Sequence, residues 1–183
     1  MRAIFTDVDG VLNHQHDKRW GWSQDERFGL APDLVENLKS VLDDAPDAQL
    51  VISSSWRYFH DNMGLLKTTG DWHDELAKML GIPRSRMEDA PTVHEFSAPG
   101  MGEKGRAHDI LLWLSEKGAG DPYVVLDDEC KELKRWLGGH VVDCADDDPY
   151  GLTRERARKA VEVLRSGNRV NRPTQPAVRE AEG

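Results

Sequence analysis

The sequence has little cysteine, no long apolar run and no excess of positive charge. Its two cysteines, Cys130 and Cys144, are too few for a disulfide framework and lack the spacing of a zinc site. A reducing cytoplasm is therefore the expected compartment. No apolar stretch approaches the length of a membrane span, so no membrane partner is expected. The first apolar segment begins almost at Met1, so no signal peptide is expected. A formal net charge of −9 argues against coating nucleic acid through a broad basic face, although it leaves open a local grip on one strand end. Internal repeats are missing, and so is the phosphate loop GxxxxGK(S/T), so no fused kinase is expected. What is present is a chain of 183 residues, 31% charged and 38% apolar, which suits one soluble globular domain with a sizeable core.

The most informative stretch runs from Ala3 to Asn13. Ile4 and Phe5 belong to a short apolar run, as expected of a strand buried on both faces. The run ends in Asp7 and Asp9, followed by Gly10, Val11 and Leu12. Residues i and i+2 of an extended chain point the same way, so both carboxylates can face one pocket. Like charges that close together need a cation, a proton or a phosphoryl group between them. A calcium loop would need more oxygen ligands at fixed spacing and a terminal Glu; this chain offers Asn13 and then His14-Gln15-His16. The pair of histidines alone is a weak metal signal, because a hard cation prefers oxygen.

Residues 14–30 are polar and aperiodic, and read as a loop or small hairpin. Trp20 and Trp22, beside Lys18, Arg19 and Arg27, either stack on a base or simply pack the loop onto the body. Pro32 opens a helix over 32–41, with Leu34, Val35, Leu38, Val41 and Leu42 at helical spacing. Residues 49–52 form a second strand that runs into Ser53-Ser54-Ser55-Trp56-Arg57. The serines suit a helix cap as well as a phosphate contact. Arg57 suits a phosphate, whose oxygens a guanidinium matches in pairs, or an ordinary surface carboxylate.

Residues 58–102 are the least legible. A helix is expected over 71–80, stopped by Gly81 and Pro83, and a third strand over 92–94. No large segment here suggests a second domain. Lys104 and Arg106 precede a helix with Ile110, Leu111, Trp113 and Leu114 on its apolar side. A fourth strand over 123–126 ends in Asp127-Asp128-Glu129, carboxylates of the kind that hold magnesium. A helix over 131–137 stops at Gly138-Gly139, and a fifth strand follows over 140–142. Asp146 to Asp148 read as a solvated loop, and Thr153 as the cap of a last helix packed through Ala157, Ala160, Val161 and Leu164. The stretch 166–183 lacks apolar periodicity and reads as a disordered tail.

Taken together, Asp7-Val8-Asp9-Gly10-Val11-Leu12, the serine turn at Ser53, the cation at Lys104 and the pair Asp127/Asp128 resemble, in order, the four motifs of the haloacid dehalogenase (HAD) superfamily of phosphatases. The resemblance covers residues 1–165, and 14–30 falls where that superfamily has a flap. It implies an α/β, Rossmann-like three-layer sandwich with a mainly parallel central sheet and a minimal cap. It also implies an Mg2+-dependent phosphomonoesterase. Asp7 would be the nucleophile and Asp9 the acid and base. Asp7, Asp9 (through its carbonyl), Asp127 and Asp128 would hold the metal. Ser53 and Lys104 would bind the phosphoryl oxygens, with Gly10, Ser54, Arg57 and Arg106 as further substrate contacts. Ser54 is a close alternative to Ser53, and Arg106 to Lys104 in a register shifted by two. The second aspartate, Asp9, favours phosphoryl transfer over carbon–halogen cleavage.

Four details resemble the phosphatase domains of bacterial and phage nucleic-acid repair proteins. They are the motif ending in Leu12-Asn13, the turn Ser53-Ser54-Ser55-Trp56-Arg57, the strand end Leu126-Asp127-Asp128, and Asp148-Pro149-Tyr150-Gly151-Leu152-Thr153. The implied substrate is a phosphorylated RNA or DNA end, chiefly a 3′-phosphate, or a nucleotide. A small-metabolite phosphatase is the alternative with the same chemistry. A non-catalytic binder of nucleotides or nucleic-acid ends is the alternative of another class; it would have no use for Asp9.

Overall fold

The computed structural model describes residues 1–13, 30–54, 72–91, 102–117, 122–145 and 150–166, with side chains beginning at 73 and 105 in the two stretches that open on a helix. Five parallel strands form one sheet: β1 (Arg2–Thr6), β2 (Ala48–Ile52), β3 (Met87–Asp89), β4 (Tyr123–Asp127) and β5 (Val141–Asp143). Their order across the sheet is β3-β2-β1-β4-β5. Among the described residues the helices are α1 (Pro32–Asp44), α2 (Trp72–Leu80), α3 (Gly102–Lys117), α4 (Cys130–Leu137) and α5 (Arg154–Ser166). None of them is long and apolar enough to cross a membrane.

The layers follow from the two-residue period of the strands. In β1, Ile4 faces one core while Ala3 and Phe5 face the other. Leu50 and Ile52 of β2, and Val124 and Leu126 of β4, join Ile4 beneath α1, α2 and α5. Val51 and Val125 join Phe5 beneath α3 and α4. Phe5 meets Trp113 and Tyr123 edge to face, with ring centroids 5.3 and 6.1 Å apart. The chain steps outward from β1 to β2 to β3, then crosses to β4 and β5 on the other side of β1. Right-handed crossovers then require helices on opposite faces for the two halves. The switch in direction leaves a crevice between the carboxyl ends of β1 and β4, where ligands bind in such sheets.

The helix and strand limits agree with the sequence reading to within a few residues, with one exception. The third strand is Met87–Asp89, paired in register from Leu50↔Met87 to Ile52↔Asp89. It is a three-residue edge strand with only Met87 buried, so it has no alternation to read. The strand expected over 92–94 lies outside the described residues, as do Arg57, the flap residues 14–29, the acidic run 146–148 and the tail from 167 on. The fifth strand sits one residue later than expected, because His140 belongs to a 3₁₀ turn. Both cysteines are buried and free.

Candidate active site

Backbone pairing continues one residue past β1 and β2. The Asp7 N–H donates to the Leu126 carbonyl at 2.9 Å, and the Ser53 N–H to the Thr6 carbonyl at 3.0 Å. Ser53, Asp7 and Asp127 therefore stand side by side at the ends of three adjacent strands. Strand parity assigns all three to the face of Val51, Phe5 and Val125, the side covered by α3. This is also the side from which α3 delivers a cation.

That cation is Arg106. Its Nη1 lies 2.8 Å from Asp7 Oδ2 and donates to both oxygens of Asp127, at 2.8 and 2.7 Å. Asp7 is 4% exposed and Asp127 is fully buried. Each carboxylate has further donors: Val8 N–H on Asp7 Oδ1 at 2.7 Å, and Glu129 N–H on Asp127 Oδ1 at 2.9 Å. Burial pushes Asp127 well above the usual carboxylate range and the charge of Asp7 adds to this, while Arg106 opposes it. Arg106 itself is held charged by the two carboxylates, which outweigh its own burial.

Asp128 completes the group. One carboxylate oxygen from each of Asp7, Asp127 and Asp128 lies within 4.8 Å of the others. Three carboxylates converge here, with the Arg106 guanidinium across two of them. A convergent set of oxygen donors of this kind fits a hard divalent cation such as Mg2+. Gly10 makes the arrangement possible. It turns the chain at a φ of +67°, and a Cβ there would lie 2.1 Å from Asp128 Oδ2. A side chain at Gly10 and the Asp128 carboxylate would occupy the same space.

The Ser53 hydroxyl is the second sign of a ligand. Ser53 is 1% exposed, and its Oγ has no hydrogen-bond partner among the described residues. A buried hydroxyl left unpaired costs about 1–3 kcal/mol, a cost that an arriving phosphoryl oxygen would remove. Ser54 is also fully buried.

Asp9 stands apart from the three-carboxylate group. Its Oδ1 accepts from Asn13 Nδ2 at 2.7 Å, and Asn13 Oδ1 accepts the Gly10 N–H at 2.9 Å. In the sequence Asn13 reads as an oxygen donor for a calcium loop and as the end of the first motif, not as a partner of Asp9. The signal that could have found it is an amide four residues beyond an aspartate across a glycine turn. Thr6, whose hydroxyl donates to the Asp7 carbonyl at 2.7 Å, went unread as well. The backbone of Lys104 lies in the first turn of α3, but its side chain, like Arg57, is outside the described residues. Of the two candidate cations, Arg106 is the one seen on the carboxylates. An open pocket of about 500 Å³ adjoins the site, lined among the described residues by Asp128, Glu129, Ala145 and Tyr150.

A family model described as "HAD domain in Swiss Army Knife RNA repair proteins" matches residues 3–157, from the first strand into α5. Comparison with curated proteins and with solved structures gave no match.

Proposed function

The chain belongs to the family of HAD domains in Swiss Army Knife RNA repair proteins and is a HAD-type phosphatase acting on phosphorylated substrates; from that premise we propose that it hydrolyses terminal phosphates on nucleic-acid ends, chiefly 3′-phosphates, through an aspartyl-phosphate. The observation that carries the chemistry is the set of Asp7, Asp127 and Asp128 at the topological switch, with Arg106 across them. The RNA-repair family carries the choice of substrate.

In this proposal Asp7 attacks phosphorus with one carboxylate oxygen, and the bond from phosphorus to the ester oxygen breaks. Asp9 gives its proton to the departing oxygen. In the second half Asp9 takes a proton from water, the water oxygen attacks phosphorus, and the bond to Asp7 breaks to release phosphate. Ser53 and Lys104 hold the phosphoryl oxygens, with Gly10, Ser54 and Arg57 as further contacts. Arg106 steadies Asp7 against Asp127. Asp7, Asp127, Asp128 and the Asp9 carbonyl would hold Mg2+, which when bound supplies positive charge that lets an anionic carboxylate approach an anionic phosphate. Residues 1–165 act as one domain with 14–30 as its flap and 166–183 as a tail. We assign the enzyme to a reducing cytoplasm, a reading supported by its two buried, free thiols.

The test is phosphate release with Mg2+ from oligonucleotides with 3′- or 5′-phosphates, mononucleotides, sugar phosphates and an aryl phosphate. Asp7→Asn should abolish turnover on all of them. A strong preference for oligonucleotide 3′-ends is the expected result. Preference for sugar phosphates would move the enzyme to small-metabolite chemistry.

A further inference from the structure

Asn13 is 7% exposed and uses both ends of its amide on the turn after β1. The Gly10 N–H can only donate, so the group it meets at 2.9 Å must be the Asn13 oxygen. The amide is thereby fixed against a flip, and its NH₂ end must face Asp9 Oδ1, 2.7 Å away. An oxygen that accepts this bond is poorly placed to present a proton to a substrate. Among the described residues Asp9 Oδ2 has no bond of its own. We propose that Asn13 is a positioning residue that locks the Asp9 carboxyl by Oδ1 and presents Oδ2 to the ester oxygen of the substrate. The proposal rests on the reading of Asp9 as acid and base.

The feature is specific in its parts. Gly10 serves twice, once through its positive φ beside Asp128 and once through the N–H that orients Asn13. The same five-residue turn therefore sets the acid and leaves room for a carboxylate of the proposed metal site. The turn is itself held by Leu12 N–H on the Val8 carbonyl at 2.8 Å, with Val8, Val11 and Leu12 fully buried. Nothing in that packing requires an amide at position 13. Two polar neighbours do.

The test separates the acid's work from the rest of the site by the leaving group. An alkyl phosphate, such as a nucleoside 3′-phosphate, needs its departing oxygen protonated; 4-nitrophenyl phosphate does not. Two variants are compared in the full chain with Mg2+. Asn13→Ala removes the amide. Asn13→Asp keeps its shape and its bond to Gly10 but cannot donate to Asp9, so it remains informative if the alanine variant fails to fold. A misplaced general acid forfeits much of the 10²–10⁴-fold it contributes, so alkyl phosphate turnover should fall by about 10²-fold or more while the first-turnover burst of nitrophenol stays within about threefold. Asp9→Ala should show the same split. Unchanged alkyl turnover in folded Asn13→Asp would overturn the inference. So would a burst that falls as far as the turnover, since that is what a purely structural residue gives. If Asp9→Ala itself keeps alkyl turnover, the reading of Asp9 fails and takes the inference with it, whereas an inactive Asp9→Ala beside an unaffected Asn13 variant rejects Asn13 alone.

Discussion

Single residues at this site are constrained by space as much as by chemistry. Gly10 shows it best. Alanine there would take on a left-handed conformation, at about 1–2 kcal/mol, and its methyl would collide with Asp128. Gly10→Ala should therefore unfold at lower urea and need more Mg2+ for half-maximal activity, because Asp128 must move. A variant that loses stability with an unchanged Mg2+ requirement would show that Asp128 is not a metal ligand. What the sequence made legible was the order of the acidic and serine strand ends, and of those residues Asp7, Ser53, Asp127 and Asp128 come together at the ends of adjacent strands. Arg106 and Lys104 could not be ranked, since both lie near the start of one helix and differ by only two positions. What places Arg106 on Asp7 and Asp127 is the rotation of α3 about its axis, and that is set by Ala107, Ile110 and Trp113 packing on the sheet. Asn13 stayed hidden because its partners lie within its own turn, where sequence pattern carries no period.

Among the elements, β1, β2 and β4 were readable because they are buried on both faces and so are continuously apolar. β3 was not, since an edge strand pairs on one side only. The junction of β4 with the turn before β5 supplies a pH test. The His140 ring stacks on Tyr123 with centroids 4.0 Å apart, and its Nδ1 lies 3.1 Å from the Tyr123 carbonyl. Burial lowers the imidazole below its ordinary value, against a smaller upward pull from the carbonyl. The unfolded chain thus binds a proton more readily than the folded one. Stability should be full above an ordinary histidine pKa near 6.5 and should decline as pH falls through it toward the lower folded value. Urea midpoints at pH 7.5 and pH 5.5 should show that decline in the wild type and a smaller one in His140→Gln. Equal declines would assign the effect to other groups.

The whole molecule is acidic, with a net charge of −9, yet its proposed substrate is a polyanion. The site adds three carboxylates, Asp7, Asp127 and Asp128, gathered in one place. Binding should therefore depend on a few local contacts at one phosphate rather than on a long basic track. For a single-stranded end, the slope of log KM against log salt should correspond to about one or two phosphates, at roughly 0.7 per phosphate. Extending the oligonucleotide beyond a few residues should leave KM nearly unchanged. A steep slope that grows with length would point to a basic surface elsewhere on the chain.

The loop before α5 closes on the turn after β1. Leu152 N–H meets the Val11 carbonyl at 2.9 Å, Gly151 packs against Leu34, and Asn37 reaches the Leu152 carbonyl. During synthesis the ribosome delivers residue 11 long before residue 152. Asp7 is thus made first, Asp127 and Asp128 late, and the strap on the turn after β1 last of all. A partly made chain holds Asp7 without Asp127, Asp128 or the strap, so the three-carboxylate site stays incomplete until residue 152 has emerged.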